Sequence, residues 1–235
     1  MERIDDLMLR GLRIIQDDDL FGYGIDAVLL ADYVRAGKRE RVLDIGTGTG
    51  ILPLLLHGRG KGACIDGLEI QMPAVNLARR SIAMNGLTEH IRIIHGDIRT
   101  HRDERPYDVL VTNPPYMRVG SGRTVNEPCI AKARTEICMT VDDVFRAAGH
   151  LLKEHGRIYM IHRPDRLGDI FYAARSHRME AKHMRMIKPY PDKAPTMVLM
   201  TFVKGGRPFL TVAPDLIVYE AAGIYTDEVR RIYNM

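Results

Sequence analysis

The chain is predicted to fold as an α/β protein, a mostly parallel sheet with helices on both faces. Three observations carry that expectation. Strand-like and helix-like segments alternate from Arg41 onward. The run Val42-Leu43-Asp44-Ile45 ends in a glycine turn, Gly46-Thr47-Gly48-Thr49-Gly50, of the kind that closes the first strand of a nucleotide-binding fold. A later apolar run, Tyr107 to Thr112, leads straight into Asn113-Pro114-Pro115-Tyr116.

The elements follow in order. Leu9 to Gly24, rich in glycine and aspartate, reads as short strands or turns, and Asp26 to Val34 as a helix with Asp26 as its cap. Arg41 to Ile45 is the first clear strand, followed by a helix over Gly50 to His57. Ala63 to Ile70 is a strand, and Met72 to Met84 a helix stopped by Asn85-Gly86. Ile91 to His95 and Tyr107 to Thr112 complete the first group of strands. Met117 to Glu136 has no period and mixes Gly, Ser, Asn, Pro and charge, so it reads as a mobile loop, of a length that is usually functional or disordered. A helix over Val141 to Glu154, a strand over Arg157 to Ile161 and a helix over Asp165 to Arg178 come next. Lys182 to Lys188 and Met197 to Val203 read as closing strands, Leu216 to Tyr219 as a strand fragment, and Asp227 to Tyr233 as a short helix.

At 235 residues, with 46% hydrophobic and 27% charged residues, the composition suits one large globular domain. Residues 1–235 are read as that domain, with 1–40 an entry segment, 41–210 the core and 211–235 a C-terminal strand and helix. No apolar run is long enough to cross a membrane. The start, Met1-Glu2-Arg3-Ile4-Asp5-Asp6, has neither the basic nor the apolar part of a secretory signal, so a cytoplasmic protein is expected. Cys64, Cys129 and Cys138 match no zinc spacing, and no metal is expected. The net charge is +4, but Leu151 to Leu210 holds 12 Lys or Arg against 5 Asp or Glu. A local surplus of that size points to a phosphate-bearing partner.

Glycines at 46, 48 and 50 remove the Cβ atoms that would keep a nucleoside away from the backbone. Glu69, at the end of the next strand and nineteen residues past Gly50, is placed to accept hydrogen bonds from two ribose hydroxyls. Asp97, in Gly96-Asp97-Ile98 after the third strand, is placed to accept from an adenine amino group. Asp44 is expected near the ligand's cationic end. A dehydrogenase would want a third glycine where Ile51 stands, which argues against NAD or FAD.

Asn113-Pro114-Pro115-Tyr116 suits a planar amine as the second substrate. An aromatic amine is a poor nucleophile because its lone pair is delocalised into the ring. Acceptors aimed at its two hydrogens, the Asn113 side-chain oxygen and the Pro114 carbonyl, would let the nitrogen become tetrahedral as it attacks. Pro114 and Pro115 stiffen the turn, and Tyr116 offers a face for stacking an extruded base.

Taken together, these motifs resemble the class I S-adenosylmethionine-dependent methyltransferases that carry an Asn-Pro-Pro-Tyr motif. More narrowly, the chain is similar to the bacterial tRNA (valine) adenine-N6 methyltransferases. The narrower likeness lies in Ile15-Gln16, Phe21-Gly22-Tyr23-Gly24-Ile25-Asp26-Ala27-Val28-Leu29-Leu30-Ala31, Ala133-Arg134-Thr135-Glu136-Ile137, and Leu151-Leu152-Lys153 with His162-Arg163-Pro164-Asp165-Arg166-Leu167. It implies a Rossmann-like sheet of seven strands whose last two form an antiparallel hairpin. It also implies a pocket for S-adenosyl-L-methionine lined by Asp44, Gly46, Thr47, Gly48, Gly50, Glu69, Ile70, Asp97 and Ile98, with Asp26 and Phe21 or Tyr23 nearby. Asn113 to Tyr116 would carry the acceptor, an adenine of tRNA. Candidates for holding RNA are Arg118, Arg123 and Arg134 beside the pocket and Arg163, Arg166, Lys188 and Lys193 further out. Protein glutamine methyltransferases share the acceptor motif but usually carry an extra N-terminal helical domain, and ribosomal RNA guanine-N2 enzymes usually end it in Phe. Both remain alternatives, as does adenine in ribosomal RNA.

Overall fold

The computed structural model describes residues 1–18, 22–114 and 139–235. Phe21, Pro115, Tyr116, Arg118, Arg123, Arg134 and the loop expected over Met117 to Glu136 lie outside the described residues. The described elements are β1 (Glu2–Asp6), β2 (Arg13–Asp17), α1 (Ile25–Tyr33), β3 (Arg41–Ile45), α2 (Ile51–Gly58), β4 (Cys64–Glu69), α3 (Met72–Met84), β5 (Ile91–His95), β6 (Tyr107–Thr112), α4 (Val141–Leu151), β7 (Leu152–His162), α5 (Leu167–Ser176), β8 (Met179–Lys188), β9 (Met197–Lys204), β10 (Thr211–Ile217), β11 (Tyr219–Ala221), β12 (Ile224–Tyr225) and α6 (Asp227–Tyr233).

The central sheet runs β10-β8-β9-β7-β6-β3-β4-β5. Strands β7, β6, β3, β4 and β5 are parallel, and β9 turns antiparallel between β7 and β8. The expected β8–β9 hairpin is present. An eighth strand, β10, pairs parallel with β8 where seven strands were expected. Pro214 interrupts its pattern, and the pairing shifts register between Ala213 and Leu216, as a proline on a sheet edge permits.

Alternation of side chains splits the core in two. Val42, Val109, Val111, Tyr159 and Leu199 face α1, α2, α3 and α6, while Leu43, Ile45, Leu110, Met160 and Met200 face α4 and α5. Helices therefore cover both faces, as predicted.

The ends of the elements have local causes. Pro73 in the first turn of α3 gives up an N–H that would have no partner there, and Gly86 at φ +67° follows its end. Thr140 and Asp143 form a reciprocal cap on α4. Helix α1 begins one residue before the expected cap: Gly24 holds that position, and Asp26 lies in the first turn. Helix α4 stops at Leu151 instead of Glu154. The chain passes directly into β7, which starts at Leu152 and not at Arg157, through His155 at φ +62° and Gly156. Helix α5 is shorter than expected, because Pro164–Arg166 form a separate 3-10 turn ahead of it. The N-terminal segment forms a β1–β2 hairpin, with Ile15 N–H donating to Ser81 Oγ on α3 at 3.0 Å.

Candidate active site at the carboxyl edge of the sheet

Strand register assembles the site. Ile45 pairs with Thr112 on one side and Leu68 on the other, and Glu69 pairs with His95. Asn113, the glycine turn, Glu69 and Gly96-Asp97 therefore leave four neighbouring strands, β6-β3-β4-β5, at one edge. Each interval is about 4.8 Å. Ligands of open α/β sheets bind at this carboxyl edge.

The glycine turn is tied to β4 by its own backbone. Gly46 and Thr47 N–H groups both donate to the Leu68 carbonyl at 2.9 and 3.0 Å, and Gly46, Gly48 and Gly50 all take positive φ. Among the described residues a Cβ at Gly48 would meet nothing within 4 Å, so none of them closes the turn there. At Gly50 a Cβ would come within 3.2 Å of Ala78, which explains that glycine by packing as well as by φ.

Glu69 lies under the turn with 5% exposure. Its carboxylate accepts from Gly48 N–H at 2.9 Å and from the Ile70 and Gln71 N–H groups at 3.0 and 2.9 Å. An ionised carboxylate has about four lone-pair sites, so three backbone bonds leave room for roughly one more. Engaging both hydroxyls of a ribose would require Gly48 N–H to release or share Oε2. Ile70 contributes its N–H to this cluster.

Two buried aspartates on adjacent strands differ sharply. Asp66 on β4 is 1% exposed and receives Tyr107 Oη at 2.7 Å, Arg92 at 2.8 and 3.0 Å and Arg41 at 3.1 Å. Asp44 on β3 is fully buried, and among the described residues neither of its oxygens accepts a hydrogen bond. Burial pushes the Asp44 carboxyl up to about 7. The nearby Thr47 hydroxyl opposes that shift, and the Glu69 charge adds to it. An unsatisfied buried carboxylate is costly, and a cationic ligand group would offset the cost. The glycine turn and the Asp44 carboxylate, which no described residue bonds, thus fit a nucleoside-bearing donor with a positive centre.

Asp97 follows β5, where Gly96 N–H donates to the Glu69 carbonyl at 2.9 Å. Its carboxylate is engaged by the Arg99 side chain at 2.8 and 2.9 Å and by Arg99 N–H at 2.9 Å, and these contacts hold its pKa down. An adenine amine would have to share it with Arg99. The Ile98 side chain is buried in the core beneath this edge, so only its backbone is left to reach a ligand.

On the acceptor side, Thr112 Oγ1 donates to the Ile45 carbonyl at 3.0 Å, locking the end of β6 to β3. Asn113 Nδ2 donates to Asp26 Oδ2 at 2.9 Å. That bond fixes the amide with its nitrogen toward α1 and its Oδ1 on the other branch. Asp26, expected beside the donor, thus touches the acceptor motif directly. Tyr23 is half-buried against the core three residues earlier.

Several residues without an assigned role in the sequence support the site. Gln16 on β2, 1% exposed, donates to Thr49 Oγ1 at 2.8 Å and so braces the glycine turn from the N-terminal hairpin. Met139 approaches Gly46: a Cβ there would lie 3.7 Å from its methyl. His162, at the end of β7, is almost fully buried, and burial pushes its pKa down. Ile15-Gln16 belongs to the family likeness, but the role of Gln16 is not readable from it, because its partner is 33 residues away.

The outer RNA candidates gather on the same edge, beside β7 and β8. Arg163 follows β7, Arg166 ends the 3-10 turn, Lys188 ends β8 and Lys193 lies in the turn after it. Each has an acidic neighbour: Asp165, Asp169, Asp215 and Asp192 respectively. Among the described residues no cluster of His, Cys, Asp or Glu could hold a metal ion, and no helix is long and apolar enough to cross a membrane.

Comparison with known proteins agrees with this geometry. The family model described as "Methyltransferase small domain" matches residues 13–168. The tRNA1(Val) (adenine(37)-N6)-methyltransferase of Porphyromonas gingivalis is 30% identical over 224 residues, covering 89% of this chain and 86% of that protein. The enzyme of the same name from Aeromonas salmonicida is 27% identical over 205 residues, covering 87% and 85%. Among solved structures, a predicted O-methyltransferase from Agrobacterium tumefaciens superposes with a TM-score of 0.70 at 24% identity, covering 89% of this chain and 95% of that one. Geranyl diphosphate C-methyltransferase from Streptomyces coelicolor, solved with S-adenosyl-L-homocysteine, gives a TM-score of 0.58 at 14% identity, covering 77% and 80%. With the family model spanning about two thirds of its length over the glycine turn, Glu69 and Asn113, the chain belongs to the methyltransferase small domain family.

Proposed function

We propose that the protein is an S-adenosyl-L-methionine-dependent methyltransferase that modifies the exocyclic N6 of an adenine in tRNA near the anticodon. The observation that carries this reading is the Asn113–Asp26 bond. It orients the Asn113 amide one strand away from a glycine turn and from a buried carboxylate that no described residue bonds. The names of the curated relatives support the choice of adenine and of tRNA.

When bound, S-adenosyl-L-methionine supplies a methyl group already made electrophilic by its sulfonium. Glu69 and the backbone of Gly46 to Gly50 would hold its nucleoside, Asp97 its base, and Asp44 its cationic end. Asn113 Oδ1 and the Pro114 carbonyl accept from the two amine hydrogens, which become more acidic as the nitrogen forms its new bond. Acceptors placed in advance stabilise that developing charge without reorganising. Asp26 orients the Asn113 amide by engaging its nitrogen. Tyr116 would stack on the base, and Arg118, Arg123 and Arg134 would meet the flanking phosphates. In this reading residues 1–235 act as one catalytic domain, and action on tRNA supports a cytoplasmic location.

The direct test is incubation with labelled methyl donor and separate pools of tRNA, ribosomal RNA, DNA and protein, followed by mass spectrometry of the digested products. The expected result is N6-methyladenosine in tRNA. Label on protein glutamine or in ribosomal RNA would overturn the choice of substrate.

Glu69→Ala is expected to weaken donor binding by about 1.5–3 kcal/mol, the range for a hydrogen bond to a charged group. It should also lower thermal stability, since Gly48, Ile70 and Gln71 lose their shared acceptor. Calorimetry on the folded variant showing unchanged donor affinity would remove Glu69 from the pocket.

A further inference from the structure

Four tyrosines from separate segments stack in a row at the carboxyl edge. Tyr190 follows β8 between Pro189 and Pro191, Tyr219 and Tyr225 face each other across the β11–β12 pair, and Tyr233 ends α6. Ring centroids are 5.7 Å apart from Tyr190 to Tyr219, 5.2 Å from Tyr219 to Tyr225 and 5.5 Å from Tyr225 to Tyr233. The last two pairs lie within 14° and 11° of parallel. The row is anchored where β8 ends, because Val218 and Tyr219 N–H groups donate to the Lys188 and Pro189 carbonyls, each at 2.9 Å.

Strand β8 runs in the same direction as β6, so the row and Asn113 share an edge. Three strand intervals separate them, about 14 Å, which is the length of roughly four nucleotides stacked at about 3.4 Å each. The inner rings have a structural explanation: Tyr219, Tyr225 and Tyr233 pack against the core. Tyr190 is not among the residues packed there, although its neighbours in the row are. A proline on each side stiffens its backbone. Lys193 N–H donates to the Tyr190 carbonyl at 3.1 Å, which puts an exposed ammonium in the same turn. Arg163, also largely exposed, lies on the intervening β7 end. Their bonds to Asp192 and Asp165 are surface pairs at 3.4 Å, weak enough to yield to a phosphate.

We propose that Tyr190, backed by the other three rings, is a stacking platform for single-stranded nucleotides that flank the methylated base, with Lys193 and Arg163 meeting their phosphates. The proposal rests on the reading of the site as one for RNA. An aromatic row accepts any base, because every base has a π face, and cations between row and pocket select a nucleic-acid strand over an apolar peptide. The platform would hold the strand while the target base is extruded, at a cost in stacking that the new stacks repay.

The test is the methylation kinetics of Tyr190→Ala and Tyr190→Phe on tRNA, with anisotropy of a labelled single-stranded oligoribonucleotide measured in parallel without turnover. Tyr190→Ala should raise KM for tRNA and weaken the oligonucleotide by about 5- to 150-fold, the range for losing one base–aromatic stack. Donor affinity should be unchanged, and Tyr190→Phe should restore the wild-type values because the ring is kept. A 2-aminopurine in the oligonucleotide should be quenched by wild type and not by Tyr190→Ala. If tRNA is methylated but Tyr190→Ala leaves KM and quenching untouched, the platform alone is overturned. A phenylalanine variant as weak as the alanine one would also overturn stacking. If the protein labels only glutamine in protein, and the oligonucleotide binds wild type no better than Tyr190→Ala, the RNA reading of the site falls together with the platform.

Discussion

Replacing Asn113 with alanine is expected to cut methyl transfer about 10²- to 10³-fold, the cost of removing one preorganised group from a charge-developing site. Donor affinity should stay within about twofold, because an interaction made only in the transition state affects turnover and not ground-state binding. The alanine variant loses the amide oxygen aimed at the amine and also takes a donor from Asp26. Two companions separate these effects. Asn113→Asp keeps the shape but sets a second carboxylate against Asp26, where one of the two must hold a proton or repel the other. It should therefore be as damaging as alanine at neutral pH and should recover part of its activity as pH falls. Asp26→Asn keeps a hydrogen-bonding side chain but no longer discriminates nitrogen from oxygen on Asn113, so an intermediate loss in turnover is expected. Single-turnover rates at saturating tRNA and donor, with calorimetric donor affinities, provide the check. Unchanged turnover in Asn113→Ala, or a loss appearing only in donor affinity, would remove Asn113 from the acceptor role.

The parts of the fold legible in the sequence are those whose ends carry their own punctuation. Strands β3, β5 and β6 and helix α3 fall at their expected residues, because an apolar run ends each strand at a turn and Asn85-Gly86 ends the helix. Strand β10 was not legible beyond its last residues, because Pro214 in Thr211–Ile217 reads as a breaker unless the strand is known to lie on an edge. The start of β7 was hidden for the opposite reason: Leu152-Lys153-Glu154 continues a helical pattern, and only tertiary pairing draws it into the sheet. In the site, residue types were readable and partners were not. Asn113 and Asp26 are 87 positions apart, and their bond depends on how α1 lies over the β6 end. Arg99 engaging Asp97 is local, two residues along the chain, yet nothing in Asp97-Ile98-Arg99 distinguishes a held carboxylate from a waiting one.

Asp44→Asn is expected to stabilise the protein without donor at neutral pH while weakening donor binding, and both effects should depend on pH in a defined window. The Asp44 carboxyl is pushed from an ordinary 3.8 up to about 7 by burial and by the Glu69 charge. Between those two values the folded chain holds a proton that the unfolded chain has released, so stability falls as pH rises from about 4 to about 7 and then levels off. A shift of this size corresponds to a few kcal/mol of strain in the ionised protein, on the order of 1.4 kcal/mol per unit. Asparagine carries no charge to bury, so the variant should melt several degrees higher at pH 8, given roughly 2–4 °C per kcal/mol for a chain of this size. The difference should shrink toward pH 4, where the folded carboxyl is protonated and the unfolded one, near its ordinary 3.8, is about half protonated. Donor binding should show the reverse dependence. The ionised carboxylate is the form that attracts a cation, so wild-type affinity should climb by up to about tenfold per unit from pH 5 and level off near 7. Affinity in Asp44→Asn should be flat across that range and, at pH 8, about 10- to 150-fold weaker than wild type, the range for a charge-assisted hydrogen bond. Melting curves and calorimetry from pH 4 to 8 test both halves. Donor affinity that is independent of pH in wild type would mean Asp44 orders the turn and does not meet the donor's charge. A variant that melts lower than wild type at pH 8 would mean the buried carboxylate is satisfied in the folded protein after all.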